Sequence, residues 1–92
     1  MEEALGQWDE VMNAVYQKLT ERSPLKSALV DAQRTWLAFR DAEYLLIDSI
    51  SEALPAPEYQ PLHAYWRLRL TRERALLLKK YLALAGSEGT TN

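Results

Sequence analysis

The stretch LVDAQRTWLAFRDAEY, residues 29–44, decides the fold of this chain. Its apolar residues recur every three or four positions, which is the spacing of one face of an α-helix. That face also carries Gln33 and Arg40 on either side of Trp36, and Asp41 follows directly. A guanidinium beside a core tryptophan must be paired or hydrogen-bonded, because it cannot lose its proton. The stretch therefore predicts a long helix with a polar network on its core-facing side.

Two further amphipathic segments flank this helix. The first is predicted over about residues 3–22, and Ser23-Pro24 is typical of a new helix start, so the second helix is expected over about 24–54. The proline-rich LPAPEYQP is predicted to be a loop, and a third helix follows over about 61–85, with Gly86 as its C-cap and 86–92 as a frayed tail. The apolar stripes of the three helices are Leu5, Trp8, Met12, Val15 and Leu19; Leu25, Ala28, Leu29, Ala32, Trp36, Phe39, Leu46, Ile47 and Ile50; and Leu62, Tyr65, Trp66, Leu70, Leu77, Leu78, Tyr81 and Leu82.

No alternating stretch suggests a strand, so the fold class is all-α. Short connections make successive helices antiparallel, which predicts a single domain over 1–92, a three-helix antiparallel bundle with a long central second helix. A turn near residue 55 pairs residues whose numbers sum to about 110, such as Trp36 with Arg74 and Tyr44 with Trp66. The first hairpin brings Met12 towards Trp36, so Trp36 is predicted to lie where all three helices meet.

Composition excludes several classes of protein. The 92 residues are 48% hydrophobic and 26% charged, which is ordinary for a folded globular domain. With no cysteine, the chain has no disulfide, no thiolate metal site and no thiol nucleophile. The segment MEEALGQWDE does not resemble a signal peptide, and no apolar run is long enough to span a bilayer.

Charge is divided unevenly among the helices. The first has five acidic residues against Lys18 and Arg22, and the third has six basic residues against Glu73. One interpretation is that these two helices pack together and partly neutralise each other. The other is that the third helix binds nucleic acid, but the pI of about 5.4 and the lack of a recognised binding motif argue against it.

The polar cluster has a structural and a catalytic interpretation. Networks of this kind commonly fix the register of apolar helices, and that interpretation places Arg67 and Lys79 on the outer face, away from Arg40 and Arg74. The catalytic alternative is a small helical enzyme of the size of the all-helical chorismate mutases, but the arginines, lysine and glutamate of that family cannot be placed on this sequence. His63 has no carboxylate at i+3 or i+4, and no serine has a histidine partner. We therefore expect no enzymatic activity and no catalytic, cofactor or metal site.

The same residues resemble the LprI-type lysozyme-inhibitor domain, a family of small bacterial helical proteins that are mostly exported. The likeness covers about residues 9–82 and has one piece on each predicted helix. Its signature positions here are Asn13 and Tyr16, then Leu29, Ala32, Gln33, Trp36, Arg40 and Asp41, then Thr71, Arg74 and Leu78.

The chain departs from the family pattern at two positions. Members commonly carry one cysteine after the arginine-aspartate run and another before the threonine, where this chain has Tyr44 and Trp66. An aromatic pair is expected to replace the disulfide, and it contributes about 0.5–1.5 kcal/mol beyond its burial against about 2–4 kcal/mol for the cross-link.

The resemblance implies a non-enzymatic protein-binding module, an inhibitor of lysozyme in the periplasm or cell envelope; a cytoplasmic location is the alternative. Lysozymes are basic, so the resemblance makes an acidic surface on the first helix the candidate contact region: Glu2, Glu3, Asp9 and Glu10. The alternatives are that these are solvated charges favourable to the helix dipole, or that the protein is a structural or regulatory homodimer without inhibitory activity. More apolar residues are present than one three-helix core can hold, including Leu37, Leu45, Leu46, Tyr59 and Leu84.

Overall fold

The part of the chain that the structure describes forms three helices, in the order α1 (Glu2–Thr20), α2 (Lys26–Ala53) and α3 (Gln60–Thr90). The structure is a computed structural model that describes residues 2–22, 25–54 and 60–90, without the side chains of 2, 60, 61 and 86–90. The all-α class and the antiparallel three-helix bundle with a long middle helix are confirmed. None of the helices in the described part is both long and apolar enough to cross a membrane.

The helix ends differ slightly from the predicted ones. Helix α2 begins at Lys26 rather than near residue 24, and its N-cap residue Leu25 makes no side-chain capping bond. At the other end, the Leu54 amide donates to the Ile50 carbonyl at 2.9 Å. Helix α3 continues through Gly86 to Thr90, because a glycine in a helix costs only about 1 kcal/mol relative to alanine. The predicted Ser23-Pro24 cap and most of the predicted loop, residues 55–59, lie outside the described residues.

The buried core lies chiefly between α1 and α3. Met12, Val15 and Leu19 of α1 pack there against Ala75 and Leu78 of α3. Small side chains on α3 allow this close approach, since the distance between helix axes depends on the residues at the contact; Thr71 and Ala75 are both fully buried. Trp36 of α2 packs against the same cluster, whose residues come from both other helices.

The predicted hairpin register agrees with the interhelical contacts. Gln33 bonds Arg74 and Tyr44 bonds Thr71, so the paired residue numbers sum to values near the predicted 110. Contacts from α1 to α2 follow the first hairpin in the same way, with Met12 beside Gln33. The order of the helices and one turn position were therefore enough to align them.

The predicted apolar stripes are wrong at several positions, because α2 and α3 keep much of their apolar surface outside the core. Phe39 is 50% exposed and Leu46 is 52% exposed. Trp66 is 36% exposed at the far side of the same hairpin. Together with an extent of 56 × 21 × 16 Å, this describes an elongated bundle whose second hairpin has one face uncovered by α1.

Candidate functional site

Arg40 is the centre of the polar network on α2. It lies one helical turn from Trp36 and one from Tyr44, with its guanidinium carbon 5.3 Å and 5.5 Å from the two ring centroids. Its Nη1 donates to Asp9 Oδ1 of α1 at 3.3 Å, and its Nε is 3.9 Å from Asp41. The guanidinium is thus held by two aromatic faces and one carboxylate, an arrangement that Arg suits better than Lys.

Gln33 connects all three helices. Its Oε1 accepts a hydrogen bond from Arg74 Nε at 3.0 Å, and its Nε2 lies 3.6 Å from the sulfur of Met12. Gln33 is buried, with only 4% of its surface exposed. Burial lowers the pKa of Arg74 from its ordinary value, and Arg74 also lies 5.7 Å from the Trp36 ring. A buried amide with defined partners on two helices selects one register among similar apolar ones.

Tyr44 ties α2 to the middle of α3. Its hydroxyl lies 3.4 Å from the Arg67 carbonyl oxygen, to which it donates, and 3.3 Å from the hydroxyl of the fully buried Thr71. The Arg67 guanidinium covers the Tyr44 ring at 4.8 Å. Trp66 lies on a surface groove beside Glu43 and Ile47. The proposed replacement of a disulfide by a Tyr44–Trp66 pair stays a prediction.

A second polar cluster joins α2 to the start of α3. His63 Nε2 lies 2.7 Å from Asp48 Oδ1, and the same oxygen accepts a hydrogen bond from Arg67. The hydrogen bond from His63, and then that from Arg67, hold the pKa of the Asp48 carboxyl below its ordinary value. Arg67 therefore does not lie on the outer face, and that expectation was wrong. The sequence analysis did not predict this cluster, because it considered only carboxylates at i+3 and i+4 as partners of His63. The hairpin register places His63 opposite Asp48.

Two of the predicted signature residues lie at the exposed edge of the network, and a third lies in the core. The side chain of Asp41 is 73% exposed, and Asn13 is exposed, with its Nδ2 3.5 Å from Asp9 Oδ2. Tyr16 packs against the α1–α3 core instead. The structure thus brings together Gln33, Trp36, Arg40 and Arg74, with Thr71 reached through Tyr44.

The charges of α1 and α3 are not neutralised against each other directly. Within residues 2–22, 25–54 and 60–90, the ion pairs between helices join Asp9 to Arg40 and Asp48 to His63 and Arg67. The contact of a basic α3 residue with α1 is a cation–π one, with Arg72 located 5.8 Å from the Trp8 ring. Helix α2 therefore provides the residue of opposite charge in these ion pairs with α1 and with α3.

One exposed stripe runs along α1. Residues 3, 7, 10, 14, 17 and 21 are spaced by three and four and are all exposed. They are Glu3, Gln7, Glu10, Ala14, Gln17 and Glu21, here called the acidic stripe. Of the predicted contact residues, Glu3 and Glu10 belong to it, Asp9 is engaged by Arg40, and the Glu2 side chain is not described. The acidic stripe carries no basic residue, so it can present carboxylates and amides to a cationic surface.

A family model described as "Lysozyme inhibitor LprI" matches residues 1–78. No curated protein and no solved structure matches the chain. The matched region contains α1, α2 and the part of α3 that carries Thr71, Arg74 and Leu78. With most of its length matched, this chain belongs to the LprI lysozyme-inhibitor family.

Proposed function

We propose that this protein is a non-enzymatic inhibitor of a lysozyme, acting in the bacterial periplasm or cell envelope. The family match over residues 1–78 carries the proposal. It supports a protein as partner, and an inhibitor family also supports a protein without catalytic activity of its own. Inhibition then requires only that the bound protein blocks access of the cell wall to the enzyme.

The acidic stripe of α1 is the proposed contact surface. Its carboxylates at Glu3, Glu10 and Glu21 face solvent, and a basic partner would meet them without first breaking an internal ion pair. Asp9 is left out of the proposed surface, because its carboxylate already joins α1 to α2 through Arg40. Complementary charge of this kind raises the association rate more than the final affinity.

The test is a charge reversal with a matched control. The double variant Glu3→Lys and Glu10→Lys changes the charge of the stripe by four units. Asp31→Lys with Glu52→Lys makes the same change at two exposed α2 positions. Inhibition is read as the slowed loss of turbidity of a bacterial cell-wall suspension treated with lysozyme. We expect the first variant to inhibit less and the control to inhibit as well as wild type.

Salt dependence identifies the physical cause. The screening length falls from about 10 Å at 0.1 M salt to about 3 Å at 1 M, so wild-type association should slow with salt more than that of the stripe variant. If wild type inhibits none of several lysozyme classes, the proposed function is wrong. If wild type and the stripe variant inhibit equally, the contact surface is wrong and the activity stands.

A further inference from the structure

The uncovered face of the α2–α3 hairpin contains an open groove of about 340 Å³. Its lining comes entirely from these two helices: Glu43, Leu46, Ile47, Ile50, Trp66, Arg69, Leu70 and Glu73. The polar contacts of α2 with α1 are made through Arg40 and Gln33, and neither of these residues lines the groove. No residue of the acidic stripe lines it either.

We propose that this groove binds a second copy of the same chain, so that two α2–α3 hairpins pack face to face as a symmetric dimer. The proposal is independent of lysozyme inhibition. Exposed apolar side chains extend the groove along both helices, including Phe39 and Leu54 on α2 and Leu62 and Leu77 on α3. An apolar stripe at helical spacing on both walls is the surface that a helical partner requires.

Charges on the groove make it complementary to itself. Glu43 lies on the α2 wall and Arg69 on the α3 wall, and by the hairpin register they are at nearly the same level along the bundle. A two-fold axis that runs along the groove, parallel to the helices, leaves the level of each residue unchanged and places the α2 wall of one protomer opposite the α3 wall of the other. Glu43 of one protomer therefore faces Arg69 of its partner. The same operation brings Leu46 towards Trp66. Symmetric interfaces need this kind of self-complementary patch.

The contacts of Arg69 suit such a pairing. Its Nε donates to Glu73 at 2.6 Å, which raises the pKa of Arg69, and both side chains remain more than half exposed. The guanidinium has five N–H donors, so it can donate to a second carboxylate without releasing Glu73. A patch with both charge signs also suits a second copy better than a uniformly basic partner does.

The area predicts a weak dimer. The apolar stripes span 15 residue steps on each helix, from Phe39 to Leu54 and from Leu62 to Leu77, which is about 23 Å at 1.5 Å per residue. Two helices whose axes are about 10 Å apart, each about 10 Å wide, form a face about 20 Å wide, which gives a footprint of roughly 450 Å² for each protomer. This lies at the small end of specific interfaces, where association is transient.

Sedimentation velocity over a range of concentrations tests the proposal without any lysozyme. Wild type should change from monomer to dimer between about 10 µM and 1 mM. Leu46→Glu buries an unpaired carboxylate at the centre of the interface and should raise the dissociation constant at least about tenfold. Leu45→Glu is the matched control, since Leu45 is its neighbour, is 68% exposed and does not line the groove.

Folding of each variant is checked by circular dichroism and a thermal melt. Leu46→Ala provides a milder second variant, with a smaller expected increase in the dissociation constant. Wild type that stays monomeric up to 1 mM would overturn the proposal. So would equal weakening by Leu45→Glu, or loss of the dimer only in Leu84→Glu, which alters a different groove lined by Leu25 and Tyr81. Monomeric wild type combined with loss of lysozyme inhibition in Leu46→Glu would assign the groove to the enzyme instead.

Discussion

Single residues of the family signature have roles that only their neighbours explain. Arg40 is the clearest example, because Trp36 and Tyr44 cover it from two turns of its own helix while Asp9 reaches it from α1. A lysine there would keep the charge but lose the flat contact with both rings. The unusual guanidinium in an apolar stripe thus belongs to the packing of the bundle.

Trp36→Ala tests the junction of the helices. Replacing a buried tryptophan by alanine costs about 3–5 kcal/mol of unfolding free energy. Because Trp36 is only partly buried, we expect a loss of about 3 kcal/mol. Trp66→Ala is the control, because Trp66 lies on the open groove and should lose less than half as much. Urea unfolding followed by circular dichroism measures both. Equal losses would show that Trp36 has no special place in the packing.

Asp48 makes stability depend on pH. Because His63 and Arg67 lower its pKa in the folded protein, the folded state binds the proton less readily than the unfolded chain. The stabilisation is present above the unfolded pKa of about 3.9 and is lost as pH falls through the folded value. Asp48→Asn should therefore melt below wild type at pH 7, and the difference should shrink towards pH 2. A constant difference over that range would contradict this origin.

At the scale of the elements, different forces position each pair of helices. Small residues at Thr71 and Ala75 let α1 approach α3 closely and bury most of the core. Helix α2 is held by fewer apolar contacts and by polar ones with defined partners, including Gln33 with Arg74. The polar contacts fix the register of a helix whose own apolar stripe is incompletely buried.

Arg74→Met tests this division. It leaves the buried Gln33 amide without its partner, and an unsatisfied buried polar group costs about 1–3 kcal/mol. Lys79→Met, at an exposed position of the same helix, should change stability by less than about 0.5 kcal/mol. The double variant Gln33→Met with Arg74→Met should be more stable than Arg74→Met alone, since no polar group is then left unpaired. Additive losses in chemical denaturation would contradict the network.

At the scale of the whole molecule, the bundle is elongated. The radius of gyration is 16.0 Å, against about 12 Å for a compact chain of this length. Solution scattering at low concentration should give a radius of gyration near the larger figure. At high concentration the radius of gyration of wild type should change as the dimer forms, whereas that of Leu46→Glu should stay the same. A value near 12 Å would mean that the helices fold into a shorter bundle.

The sequence by itself determined the helical class, the number and order of the helices, and the alignment of α2 with α3. These features follow from the apolar periodicity, from the positions of the prolines between helices, and from the geometry of an antiparallel hairpin. Each of these is local in the sequence or depends on one turn position. The same information indicated the family and predicted that Gln33, Trp36, Arg40 and Arg74 would lie together.

Only the tertiary structure decided which face of each helix is covered. The stripes of α2 and α3 are wider than one core can bury, so their periodicity could not show that Phe39 would stay exposed. It likewise could not show that Arg40 would pair more closely with Asp9 than with Asp41, its neighbour in the sequence, or that Asp48 would bind both His63 and Arg67. The physical reason is that burial and ion pairing depend on the relative rotation of packed helices, which competing contacts of the whole bundle set together.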